Sequence, residues 1–213
     1  MFSTTRTGRG LAFCAAFATL LAIAPAAQAA DPSKSIVCNK ASASAFTQIF
    51  NRAPWADPGF YALAPAASME AKMTNWNFSG GAAVVTGNES YFVGSTVDSR
   101  SLALPSGSST TSAPMCVGFD YPWMRFFLRN TGASSATLKV ESRSVKADGT
   151  VTSVLVANLS GTSSWQLSPK VLLVNNLLAL FTSNGLTPVS FRFTPVGGSW
   201  KIDDLYVDPY RSR

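Results

Sequence analysis

The chain of 213 residues contains no histidine, and that gap removes whole classes of chemistry. Without imidazole there is no Ser-His-Asp or Cys-His catalytic arrangement and no zinc site built on histidine. Glycine-rich phosphate loops of the P-loop or dinucleotide type are also missing. Charged residues make up only 13% of the chain, too sparse for the Lys/Arg density that phosphate-backbone binding needs, so no nucleic acid partner is expected. Beyond the first thirty residues no segment offers roughly 18 uninterrupted apolar residues, so no membrane anchor is expected.

What is present begins with a leader. Arg6 and Arg9 precede the apolar run "LAFCAAFATLLAIA", and "PAAQAA" follows with Ala27-Gln28-Ala29 in the pattern of a signal-peptidase site. Residues 1–29 are therefore read as a signal peptide and the protein as secreted. Two of the 17 basic residues and none of the 11 acidic ones leave with it, so the net charge falls from +6 to +4. Cys14 leaves as well. Cys38 and Cys116 remain as a pair in an oxidising compartment and are expected to form a disulfide.

The remainder is long enough for one domain. Residues 30–67 read as an irregular arm, with Phe46, Ile49 and Phe50 spaced for a short helical turn before prolines interrupt. From residue 68 to 213 short runs rich in Val, Phe, Trp and Thr alternate with Gly, Ser, Asn and Pro, the grammar of an all-β sandwich. Strands are expected near 75–79, 82–86, 90–94, 100–104, 123–129, 136–145, 151–158, 164–168, 189–194 and 199–207. "KADGT" signals a hairpin through Asp148-Gly149. "SPKVLLVNNLLALF" is open between an extended crossover and a short helix.

Strand alternation assigns faces. In "WMRFFLR", Met124, Phe126 and Leu128 point to the core, and Trp123, Arg125, Phe127 and Arg129 point away. Arg143 in "TLKVESR" and Arg192 in "SFRF" are likewise outward. Aromatic faces and guanidinium forks suit a sugar or an anionic polymer, so these six residues form the candidate ligand face. The other reading is that Trp123 and Phe127 lie beneath the arm. Trp76, Trp165 and Trp200 are assigned to core or rim packing.

Two stretches, "ASME...NWNFSGGAAVVTGN" and "VSFRFTPVGGSWKIDDLYV", resemble the first and last strands of galactose-binding-domain-like jelly rolls, which include many carbohydrate-binding modules. The chain as a whole also resembles uncharacterised secreted bacterial proteins, largely actinobacterial. The resemblance implies an antiparallel jelly-roll β-sandwich and a structural calcium ion held by Glu70 and Asp203, with Asp204 a third ligand. The positions before Glu70, "PAAS", lack the Asn, Gly or Asp often found there in the family. Without the ion, Asp203 and Asp204 would be a hydrogen-bonded pair or an edge charged against strand pairing.

Three functions stay open at this point. The leading one is a secreted, non-catalytic module for a carbohydrate or anionic cell-wall polymer. The second is a structural or protein-interaction protein at the cell surface. The third is a histidine-free polysaccharide hydrolase or lyase working through Glu89, Asp98, Asp120 and Glu141, which requires two carboxylates sharing an open groove.

Overall fold

The computed structural model describes residue 1 and residues 37–39, 45–145 and 150–208. The leader therefore lies outside the described residues, as do the hairpin turn residues 146–149. The architecture is the expected all-β antiparallel jelly roll, with one 3₁₀ helix at Val174–Phe181 as its only helix among the described residues.

Strands are numbered in chain order. The first sheet holds β1 (Ala62–Leu63), β3 (Ala83–Thr86), β4 (Arg100–Leu104), β7 (Trp123–Asn130), β10 (Gln166–Leu167), β11 (Val171–Leu172) and β13 (Trp200–Asp208). Its path runs β10-β7-β13-β4-β3, with β1 also on β13 and β11 on β7. The second sheet holds β2 (Asn77–Ser79), β5 (Ser109–Thr111), β6 (Met115–Gly118), β8 (Thr137–Val145), β9 (Val151–Leu159) and β12 (Leu186–Val196). Its path is β2-β5-β12-β8-β9, with β6 also on β12.

The core between the sheets is where alternation put it. Met124, Phe126 and Leu128 from the first sheet meet Leu138, Val140, Phe191 and Phe193 from the second, and Phe126 packs edge-on against Phe193 with centroids 5.0 Å apart. Trp76, Trp165 and Trp200 are all buried, as expected. Cys38 and Cys116 are bonded, which ties the start of the arm to β6.

Several expectations need correction. No helical turn forms at 46–50; Thr47 instead bridges to Tyr61 across the arm. The arm also supplies a strand, because β1 pairs with β13 through Ala62–Val207 and Leu63–Tyr206. Residues 90–94 are turns rather than a strand. β5 and β6 were not anticipated, because "SSTTSAPMCVG" is dominated by the small polar residues that read as loop. The ambiguous "SPKVLLVNNLLALF" divides its length between β11 and the 3₁₀ helix.

Candidate functional site

The six residues of the expected ligand face do not share a face. Trp123, Arg125, Phe127 and Arg129 point outward from β7 in the first sheet, whereas Arg143 in β8 and Arg192 in β12 belong to the second. Both sets are outward, and since the sheets pack core to core they stand on opposite sides of the sandwich. Period-two alternation separates inside from outside within a strand but carries no information on which sheet the strand joins.

The β7 set is also covered. Phe127 is fully buried in a second apolar cluster with Phe50, Tyr61, Val93, Trp165 and Tyr206. Phe50, from the arm, sits edge-on to Tyr61, Tyr206 and Phe127 at centroid distances of 4.9, 5.3 and 6.1 Å, while Tyr91 stacks on Phe127. The guanidinium of Arg125 lies over the Phe50 ring and donates from Nη1 to Asp57 Oδ2 at 2.9 Å, with only 13% and 8% of the two side chains exposed. Nε and Nη2 donate to the Ser168 carbonyl. Lys170 adds a second cation at 3.2 Å from Asp57. Burial alone would raise the Asp57 pKa, but the Tyr61 hydroxyl, the Gly59 amide and Lys170 outweigh it and hold the carboxyl below its ordinary value. Arg129 is half-buried, with its Nε enclosed and without a hydrogen-bond partner. Asp57 was missed because "ADPG" reads as a turn. It does form one, Oδ1 accepting from the Gly59 amide, but nothing local announces Arg125.

On the second sheet Arg192 stands in register between Thr111 of β5 and Glu141 of β8. Lys139 and Arg143 flank Glu141 on the same outward side, and all four long side chains are partly exposed, Lys139 at 37% and Glu141 at 14%. Glu141 accepts from Lys139 Nζ at 3.1 Å and from Ser153 Oγ.

The adjacent acids are not edge protection. β13 is an interior strand, bonded to β7 on one side and on the other to β4 and then β1. Its register shifts between Asp203 and Tyr206, with Asp204 at φ 47°. A bulge of this kind turns two consecutive side chains to one side. Both carboxylates thus face the 87–99 loop while Ile202 and Leu205 remain in the core. Asp203 accepts the amides of Glu89 and Asp204. Glu89 accepts those of Tyr91 and Val93. Glu70 accepts those of Ser99 and Arg100, so it does not meet Asp203 directly. A Cβ built on Gly94 would lie 2.8 Å from Asp98 Oδ2 and about 3.5 Å from Asp204 Oδ2, so the missing side chain leaves room for two carboxylates.

Glu89 and Asp203 have no exposed surface and Asp204 has 1%. Burial, then the charge of Asp204, pushes Asp203 up to about 9 against its two amide bonds. Burial, then Glu89, Asp98 and Glu70, pushes Asp204 up to about 7, and the Gly94 amide offsets only part of this. Burial likewise raises Glu89 and Asp98. Both Asp204 oxygens are buried and make no well-formed hydrogen bond, the Gly94 amide acting on them only weakly, a costly state for a carboxylate. The donor chemistry fits the calcium that the resemblance implies, since Ca²⁺ takes hard oxygens and several of them. Among the described residues no three acids already converge as a ligand set. Asp204 makes no well-formed hydrogen bond and Asp98 takes one from the Ser95 amide, while Glu70 Oε1 and both oxygens of Asp203 accept backbone amides and Glu70 Oε2 accepts only the Ser99 hydroxyl.

The hydrolase arrangement does not assemble. Glu89 and Asp98 join the acidic cluster, where Glu89 is sealed from any polymer. Glu141 lies on the opposite sheet, and Asp120 is exposed beyond the end of β6.

No family model matches the chain, and no curated protein matches it. Among solved structures, this jelly roll is similar to the CBM22-1 xylan-binding domain of Paenibacillus barcinonensis Xyn10C, at 11% identity over 69% of this chain and 94% of that one, with a TM-score of 0.43. It is also similar to the family 11 carbohydrate-binding module of Clostridium thermocellum, at 12% identity over 70% and 95% of the two chains, with a TM-score of 0.40. A third similarity is to the enzymatically active domain of the bacteriophage CBA120 tailspike protein 4, at 15% identity over 68% and 21%, with a TM-score of 0.43.

Proposed function

We propose that the protein is a secreted, non-catalytic module that binds a carbohydrate or anionic cell-wall polymer on the outer face of its second sheet. The observation that carries this reading is the pair Arg192-Glu141, with Lys139 and Arg143 beside it, in register across β12 and β8 and each partly exposed to solvent, over a buried Thr111. Planar guanidinium and carboxylate groups held on a rigid sheet are suited to ring hydroxyls and to polymer carboxylates or phosphates. Secretion is supported by the leader pattern and by the Cys38–Cys116 bond. The burial of Glu89, which meets Asp98 away from solvent, and the separation of Asp120 and Glu141 from that pair speak against hydrolysis. A pull-down on purified cell-wall polymers tests the reading. Retention that disappears in Arg192→Ala while the melting temperature holds is expected; no retention across the panel would leave the scaffold reading. That second reading draws on the first-sheet face, whose aromatic residues serve to seat the arm.

Within this reading the acidic cluster holds a structural Ca²⁺ through Asp204 and Asp98, with Asp203, Glu89 and Glu70 supplying negative field. The ion relieves the buried Asp204 carboxylate and joins β13 to the 87–99 loop. Because it binds only the folded state, chelation lowers the melting temperature, and Asp204→Asn removes the response. A melting curve indifferent to EDTA and calcium would overturn the assignment.

A further inference from the structure

A cavity of about 640 Å³ opens between residues 119–123 and 172–177, apart from the polar sheet face and the acidic cluster. Its walls are apolar, with Phe119, Pro122, Trp123, Leu173 and Leu177 the main contributors. Apolar surface continues beyond the mouth on the 3₁₀ helix, where Leu180 is 60% and Phe181 85% exposed. The volume lies in the range of pockets that take small organic ligands, and large exposed apolar side chains grouped at one place mark binding surfaces rather than ordinary exterior.

Polar groups reach the lining from Asn176, Asp120 and the Trp123 indole. Asn176 is 4% exposed, and its Nδ2 donates to the Phe119 carbonyl at 2.8 Å. A carbonyl can only accept, so this bond fixes which end of the amide is which. Asn176 Oδ1 is thereby the end of the amide turned away from the Phe119 carbonyl, in a residue that is almost wholly enclosed. Asp120, exposed on the rim, is the one charged residue lining the site among the described residues. An apolar wall carrying one fixed acceptor and one carboxylate selects a particular ligand chemistry. The body must be hydrophobic, and the head must donate hydrogen bonds and tolerate or carry positive charge.

From this geometry we infer that the cavity is a binding site for amphiphilic cations, with an aliphatic or aromatic body against Trp123 and Leu177 and an ammonium-type head between Asn176 Oδ1 and Asp120. A carboxylate head would be placed beside the like charge of Asp120. A hydroxyl head would satisfy Asn176 but gain nothing from Asp120.

The test uses the full secreted chain with its disulfide intact and three probes of equal length, octylammonium, octanol and octanoate, each below its micelle concentration. Binding is followed by calorimetric titration. Saturable one-to-one binding is expected, in the order octylammonium, octanol, octanoate. Asp120→Asn should narrow the gap between octylammonium and octanol by about threefold to fivefold, the range of a rim ion pair. Leu177→Arg, at a position 44% exposed, should abolish octylammonium binding with the melting temperature unchanged. Absence of saturable binding to all three probes would overturn the site. Equal affinity for octylammonium and octanoate would overturn the cationic head. Concentration-dependent dimerisation that Leu177→Arg disperses would show instead that a second copy of the chain covers these residues.

Discussion

The outward side chains of β7 and those of β8 and β12 are similar in kind, yet they sit in opposite environments. Over the first sheet, Phe50, Trp55 and Tyr61 of the arm close on Phe127 and Tyr206, and Arg125 is drawn into an almost dry ion pair with Asp57. Over the second, Lys139 and Glu141 form an ion pair in which 37% of the lysine side chain and 14% of the glutamate side chain are exposed, so the lysine is its wet partner. The same charge types thus serve one face as a latch and the other as a wet surface. Energetically they should differ several-fold, because a buried charge that loses its partner pays its desolvation unrelieved, whereas a surface charge is resolvated.

That contrast can be broken at several points. The largest effect is expected at the bridge that anchors the arm: Cys38→Ser opens a 78-residue separation, for which loop entropy gives a loss of roughly 4 to 5 kcal/mol, measured by urea denaturation. Next, Asp57→Ala should cost about 3 to 5 kcal/mol by stranding Arg125. An Asp57/Arg125 double-mutant cycle should return a large coupling, and a value under about 0.5 kcal/mol would remove the latch from the account.

The acidic cluster beside the covered face gives a signed pH test. Asp203 and Asp204 have folded pKa values raised to about 9 and about 7 above unfolded ones near 3.9. In EDTA the folded state then holds more protons than the unfolded state between those limits. Stability is fully present below about pH 4 and is lost as pH rises through the folded values. The chelated protein should therefore melt lower at pH 8 than at pH 5.5, provided other groups are matched by an Asp203→Asn/Asp204→Asn control that flattens the slope. Calcium at a hundredfold its Kd should restore about 2.7 kcal/mol at pH 8. The smallest effect belongs to the open face, where Glu141→Gln should change stability by less than about 1 kcal/mol.

Much of the fold could be read directly from the residues. Alternation in "WMRFFLR", "TLKVESR" and "SFRF" named core side chains that are buried in the structure, and the cysteine pair was legible from count and compartment. The candidate site was less so, for reasons that are physical. Arg192 and Trp123 could be called outward, but sheet membership depends on long-range pairing that no local pattern carries. Phe127 is outward and dry because the arm adds a third layer over one sheet. Glu89 sits in "GNES", which has the composition of a surface loop, and only folding over β13 buries it. Asn176 lies in the stretch that is open between a crossover and a short helix, and its role depends on the carbonyl of Phe119, distant in sequence.

The disulfide and the arm also set how the molecule would carry a mechanical load. Tension on the chain ahead of Cys38 enters the folded body at Cys116 and passes from β6 into β12 through the ladder that pairs Met115–Gly118 with Val189–Leu186. Arg192 lies further along that same strand. A load applied at Arg192 and one applied ahead of Cys38 would be joined through two neighbouring strands, β12 and β6. The arm beyond the bridge, the Asp57 latch and the acidic cluster all fall outside that line of force and would stay slack while the module held.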